Sequence, residues 1–426
     1  MTIAHVTTLE RKTYNPIGRM LVLRRATLIF VLGMLAGYFW LVPVFVPPGS
    51  TPLYESGQSV ERILRVLSVL FIFPLVWKRV LWLVRHDPVA CPVLWTFVAA
   101  PSLSLLSFPG LDFIVATLAP FVISGLSLLC LCALKPDDFS AWVSGIGLVA
   151  VVFLGAGLSR YGLEMLTYYG RPRVHLGFIH PTQTAAVVLV ACIFMVQWVG
   201  RIFHRWQWGR MWMWGMIIVG MGILLYLVLS RNTLLALMLI FLGAVYAGLI
   251  RNPAPRIMAI FLVLLLPWIG YLIAVSGNVI DPLWVALDDF SSLRFSTYYE
   301  LVGNLNQETL LSSLVGPTVY ASQKESAFVG FASIDSVYIS LYLNYGLVTL
   351  ISFLMFLFAL GWRLSRVRAP LAYGYLCAVI IFFAIDAQGV TPSNLAIFLL
   401  LVYAVRNALT HSITPSRIHL GSWSVS

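Results

Sequence analysis

An all-α polytopic membrane protein is the fold class that the sequence predicts, and three observations carry that expectation. Hydrophobic residues fill 60% of the 426 positions and charged residues 10%, where a soluble domain carries about 45–50% and about 25%. Mean hydropathy is correspondingly high, at +0.92. The apolar residues come in runs of the roughly 20 that a helix needs to cross a bilayer. The cations, finally, are divided unevenly between alternate connections, as orientation in a membrane requires.

The elements follow in order. The opening stretch "MTIAHVTTLERKTYNPIGRMLVLRR" is polar and basic, and the apolar run after it is expected to be retained as a signal anchor. Apolar runs, read against the breakers between them, predict spans at about 26–46, 62–83, 91–107, 111–134, 141–158 and 184–203. The second half adds about 212–229, 233–250, 257–275, 343–362, 371–387 and 393–406. The resulting order is a cytoplasmic segment 1–25, nine spans within 26–275, a long outer loop 276–333, three spans within 334–406 and a tail 407–426. Twelve is even, so both termini share one side.

Charge chooses the side. With the N-terminus in the cytoplasm, 19 of the 27 Lys and Arg fall in cytoplasmic segments, among them Arg24, Arg25, Lys78, Arg79, Arg256, Arg363, Arg366 and Arg406. That bias accounts for the net charge of +11 as orientation and contact with anionic membrane lipid, with no call for nucleic acid. The exceptions are Arg62, Arg65, Arg160, Arg171, Arg173, Arg231, Arg294 and Lys324, nearly all arginine, the residue that grips phosphate or carboxylate with a planar fork. Arg62 and Arg65 also suit a snorkelling role at a span end, beside Glu61. The cysteines Cys91, Cys130, Cys132, Cys192 and Cys377 sit inside apolar runs without metal-ligand spacing, so neither a disulfide framework nor a metal site is expected.

Four features of the outer face carry chemistry. The stretch "YYGRPRVHLGFIHP" packs Arg171, Arg173, His175 and His180 into a chain that is otherwise mostly hydrocarbon. The end "GFIHPTQTA" reads as a helix start with Pro181 in its first turn, so each histidine is either structural or a proton carrier. "LSRNT" places Arg231 at a hairpin tip, either snorkelling or aimed at an anion. The loop 276–333 contains "SSLRFSTYYELVGNLNQETLLSSL", expected as an amphipathic helix turning at "VGPT"; its Arg294 either binds a ligand or pairs with Asp288, Asp289 or Glu300. "SIDSVYISLYLNYGLVTL" sets Asp335 at a helix start with Tyr338 nearby, either as an N-cap or as a general base. Asp386, in "FAIDAQGVTPSN", is a further acid at the outer end of a late span. No nucleotide, HExxH or GxSxG motif occurs. Arginines facing outward with one or two acids and no nucleotide motif suit a substrate that brings its own activation, such as a lipid-linked diphosphate sugar.

Three stretches carry a resemblance. "RPRVHLGFIHPTQTAAVVLVA", "LYLVLSRNTLLALMLIFLGAVY" and "SIDSVYISLYLNYGLVTLISFL" resemble, in order and spacing across about residues 150–365, segments of the O-antigen polymerase and O-antigen ligase superfamily of bacterial inner-membrane glycosyltransferases. The ligase branch has His, then Asn, Ser or Gln, then nine residues and Gly; here the frame reads Asp335, Ser336 and Gly346. The exchange of the histidine for aspartate favours a polymerase, of an exopolysaccharide (the xanthan type is one) or of O-antigen, over a ligase acting on another acceptor. The resemblance implies that Arg171 or Arg173, Arg231 and Arg294 bind the donor diphosphate, while Asp335, helped by His180, handles the acceptor proton. It implies inverting transfer between undecaprenyl-diphosphate-linked oligosaccharides at the periplasmic face, without metal or cofactor. A chain-length regulator and a flippase are the protein partners it implies.

Other classes compete with that expectation. A polysaccharide flippase or other secondary transporter has similar length, yet transporters show related halves and broken helices at mid-membrane; no such symmetry is visible here, and the charges are expected in loops at the outer surface. A peptidoglycan polymerase of the shape-and-division class also carries an outer loop with a key acid. A membrane scaffold would not need so many outward arginines.

Overall fold

A computed structural model describes residues 16–42, 45, 67–108, 110, 113–168, 171–178, 181–202, 222, 231–276, 282, 284–285, 309–317, 336–367, 369–385 and 395–410. The helices are α1 Pro16–Leu41, α2 Phe73–His86, α3 Ala90–Leu106, α4 Ala119–Ala133 and α5 Pro136–Tyr161, then α6 Pro181–Ile202, α7 Arg231–Leu249, α8 Pro253–Ser276, α9 Leu310–Val315, α10 Val337–Arg366, α11 Pro370–Ile385 and α12 Leu395–Thr410. Strands β1 Met165–Tyr168 and β2 Arg171–Val174 form an antiparallel ribbon between α5 and α6. The described chain is therefore helical apart from one short ribbon. Among the described residues four helices are long and apolar enough to cross a membrane, or five if the bent pair α2–α3 counts as one span. The segments read as spans carry helix among their described residues; of 212–229 only Gly222 is described.

Several boundaries differ from expectation for local reasons. α1 starts at Pro16, ten residues before its apolar run, because proline suits the first helical position and the intervening "IGRMLVLRR" holds no second proline. The run 91–107 is not a uniform α-helix: it widens into a π turn at Trp95–Ala99 and tightens into a 3-10 turn at Leu103–Leu106. A second π turn, Ile114–Leu118, precedes α4. Each π turn lies just before a proline, Pro101 or Pro120, whose ring pushes away the carbonyl of the preceding turn and which has no N–H to donate. α2 and α3 meet at 104° across Asp87–Val89. α10 begins six residues before the run 343–362 and is broken at Gly346 (φ 77°, ψ 179°). The 20 residues from Leu347 to Arg366 rise by about 30 Å, which matches a bilayer's hydrocarbon thickness.

Small residues set the closest helix approaches. A Cβ on Gly33 would lie 2.1 Å from the Trp142 carbonyl oxygen, and one on Gly145 would lie 2.2 Å from that of Phe30. With the ion pair of Arg25 and Asp138 (3.1 Å), these contacts run α1 parallel to α5. α8 and α10 are antiparallel: Ile260 meets Gly361 while Tyr271 meets Ser336. α7 and α11 are antiparallel too, with Gly243 against Gly374 and Tyr246 beside Tyr373. Alternating spans require these relative directions.

At the basic end of the bundle, arginines assigned above to orientation cap helices. The buried Arg256 donates to the carbonyls of Ala247 and Ile250 at the end of α7 and to those of Ser365 (3.2 Å) and Val367 (3.4 Å) at the end of α10. The last carbonyls of a helix have no intrahelical donor, and one planar fork supplies two helices at once. Arg406, also buried, donates to Leu131 O near the end of α4 (3.2 Å) and lies over the Phe139 ring.

Candidate functional site

Two assemblies hold the described sequence candidates. The first joins the start of α10 to the ends of α8 and α11. Ser336, fully buried, is the N-cap of α10: its Oγ accepts from the Ile339 N–H (3.4 Å). The same Oγ is 2.6 Å from the Tyr271 hydroxyl and donates to Phe383 O (3.5 Å). The Tyr271 hydroxyl also reaches Ala384 O (3.4 Å), so it ties a helix N-terminus to the open carbonyls of a helix C-terminus. Tyr338 is buried among Trp268, Phe353 and Phe383, and its hydroxyl donates to Ile380 O (2.8 Å). Asp335 and Asp386 lie outside the described residues; the junction is described through Ser336, Phe383 and Ala384.

Arg231 comes to the same level by register. Gly243 packs on Gly374, so a count of eleven residues outward along the antiparallel helices sets residue 232 of α7 level with Ile385 of α11. Arg231 is the first residue of α7. The N-termini of α6, α7, α10 and α12 therefore open on the end of the bundle opposite Arg256 and Arg406, where their positive dipole ends favour an anion.

The second assembly is the ribbon and the turn after it. Leu166 pairs with Arg173 and Tyr168 with Arg171, so positions 171 and 173 share one face and Val174 is on the other, buried. The chain then turns through Leu176 (φ 47°) and Gly177 (φ 79°). Two glycines make this fold: Gly177 takes the left-handed backbone, and Gly157 of α5 leaves no Cβ where Leu176 O would be 2.0 Å away. Thr184 of α6 donates to His175 O (2.8 Å), and Phe178 stacks edgewise on Phe45.

His175 is fully buried in this turn. Its Nδ1 accepts the Gly177 N–H (2.9 Å), so the neutral ring carries its proton on Nε2. Nε2 has no hydrogen-bond partner among the described residues and faces Glu164 Oε2 at 3.7 Å. Burial lowers the His175 pKa below its usual value, against the Glu164 carboxylate, which raises it.

Of the remaining sequence candidates, His180 and Arg294 lie outside the described residues. The expected amphipathic helix in the outer loop is described only from Thr309, which caps α9 by accepting from Ser312 N–H (3.2 Å). The turn at Gly316–Pro317 packs on the α10 break, with Gly316 against Gly346. Sequence reasoning missed Glu164 and Tyr271, and it offered Asp335 as the cap of α10 where the structure has Ser336. For Glu164 the signal was the ribbon register: Met165 faces Val174, so the next residues outward, 164 and 175, face each other. Among the described residues no three His, Cys, Asp or Glu side chains are grouped as metal ligands. In comparisons with known proteins no family model matches the chain, and no curated protein and no solved structure matches it.

Proposed function

We propose that this chain is a membrane glycosyltransferase that polymerises undecaprenyl-diphosphate-linked oligosaccharide repeat units at the periplasmic face of the bacterial inner membrane. In this reading it has twelve spans and both termini are cytoplasmic. One observation supports it: the start of α7 at Arg231, the start of α10 at Val337 and the end of α11 at Ile385 lie at one end of the bundle. In this reading a cation and helix N-termini, with two acids that adjoin α10 and α11 in the chain, match a substrate with a diphosphate leaving group and a hydroxyl to be deprotonated. Arg231, with Arg171, Arg173 and Arg294, holds the donor diphosphate. Asp335 takes the acceptor proton, helped by His180. The acceptor oxygen then bonds to the anomeric carbon as the bond from that carbon to the diphosphate breaks. Undecaprenyl diphosphate leaves, and attack opposite to it inverts the centre.

The test is purified protein in detergent with lipid-linked repeat units and chelator. Wild type is expected to build lipid-linked ladders, and Asp335→Ala and Arg231→Ala to build none. Normal ladders from both variants would overturn the site. In detergent there are no compartments, so a transporter yields no new bond and a ligase yields only product on its separate acceptor.

A further inference from the structure

A groove at the basic end of the bundle has a different chemistry. α3 and α10 are tied together twice. Trp95 Nε1 donates to Ser352 Oγ (3.0 Å) and Thr96 to Ser352 O (3.2 Å). Toward the basic end, Arg363 pairs with the buried Asp87 (3.3 Å), whose carboxylate also accepts the Val89 N–H (2.8 Å). The 104° bend at Asp87–Val89 swings the start of α3 away between these ties. The wedge left is a cavity of 580 Å³, open on one side, lined by Pro88, Val89, Pro92, Phe358 and Leu360 and, at its end, by Arg363 and Arg366. That volume is within the ~300–1,000 Å³ of ligand sites.

The two arginines differ. Arg363 is offset by Asp87, whereas Arg366 is exposed, stacks over the Trp362 ring (4.6 Å) and makes no ion pair with a described residue. The rim thus carries one net positive charge beside an apolar slot that runs along a helix long enough to cross a membrane. We propose that this groove binds an anionic phospholipid, one acyl chain in the slot and the phosphate on Arg366. Charge selects the headgroup, and the apolar lining selects an amphiphile over a soluble phosphate. The site is at the opposite membrane surface from the proposed transferase centre and does not depend on it.

The experiment uses full-length protein in mixed micelles with phosphatidylglycerol that carries a photoactivatable acyl chain. Labelled peptides are expected at 88–92 and 356–362, with phosphatidylcholine bearing the same chain labelling them about fivefold less, the ratio produced by ~1 kcal/mol per cation near an anionic lipid. Arg366→Gln, on an exposed side chain, is expected to abolish that preference. Ala359→Trp fills the slot from an exposed position and is expected to remove the label without lowering the melting temperature. Equal labelling by the two lipids, undiminished labelling of Ala359→Trp, or displacement by glycerol 3-phosphate alone would overturn the proposal. Ladder synthesis is read separately and bears only on the outer site.

Discussion

Gly374→Ala tests the packing that levels the outer site. The new Cβ would lie 2.2 Å from Ile240 O and 3.0 Å from Ala244 N, both backbone atoms that no rotamer change can move. Ordinary carbon contacts need about 3.5 Å, so α7 and α11 must part by roughly 1 Å. Overpacking of that size costs about 1–3 kcal/mol. The same displacement moves Arg231 relative to the start of α10, and a ~1 Å misplacement at a reacting centre costs on the order of 100-fold in rate. The assay pairs thermal unfolding in detergent with ladder synthesis. Gly248→Ala on α7 is the control, since nothing lies within 4 Å of its Cβ; it is expected to leave both readouts unchanged or to raise stability by up to ~1 kcal/mol. A Gly374→Ala protein that melts and polymerises like Gly248→Ala would refute the register.

Two further outcomes follow from buried polar groups. Arg256→Met leaves the carbonyls of Ala247, Ile250, Ser365 and Val367 without their guanidinium and is expected to destabilise by about 3–5 kcal/mol, with Arg256→Lys recovering only part because an ammonium lacks the planar fork. Unfolding of the Met variant at the wild-type temperature would contradict this. His175 binds its proton less readily folded than unfolded, so the unfolded chain holds more protons between the lowered value and the ordinary 6.5. Stability from this group is complete above about pH 6.5 and is lost as pH falls through the lowered value. Melting temperature measured from pH 7 to pH 5 is expected to fall more steeply for wild type than for His175→Gln, and parallel curves would remove His175 as the cause.

Much of the helical order was legible because hydrophobic runs are local. α5, α8 and α10 fall where their apolar residues do, and Pro181 starts α6 as its fixed φ suggests. The breaks were less legible. Gly346 stands out in the sequence only as the end of a spaced frame, and that it breaks α10 shows once Gly316, thirty residues earlier, is found against it. Arg256 and Arg406 read as orientation charges because a count of cations by side does not tell which carbonyls a guanidinium reaches.

By itself, the sequence determined the class: too little charge for a soluble surface, apolar runs of spanning length and cations biased to one side. It also singled out Arg171, Arg173, Arg231, His175, Asp335 and Asp386 as costly residues in a hydrocarbon chain. Only the tertiary structure decided that Ser336 caps α10, that His175 is buried facing Glu164, and that the starts of α7 and α10 meet the end of α11. The reason is physical. Partition into a bilayer depends on composition summed along each run, whereas these neighbours are set by close approaches at Gly243, Gly374 and Gly157, between residues far apart in the chain.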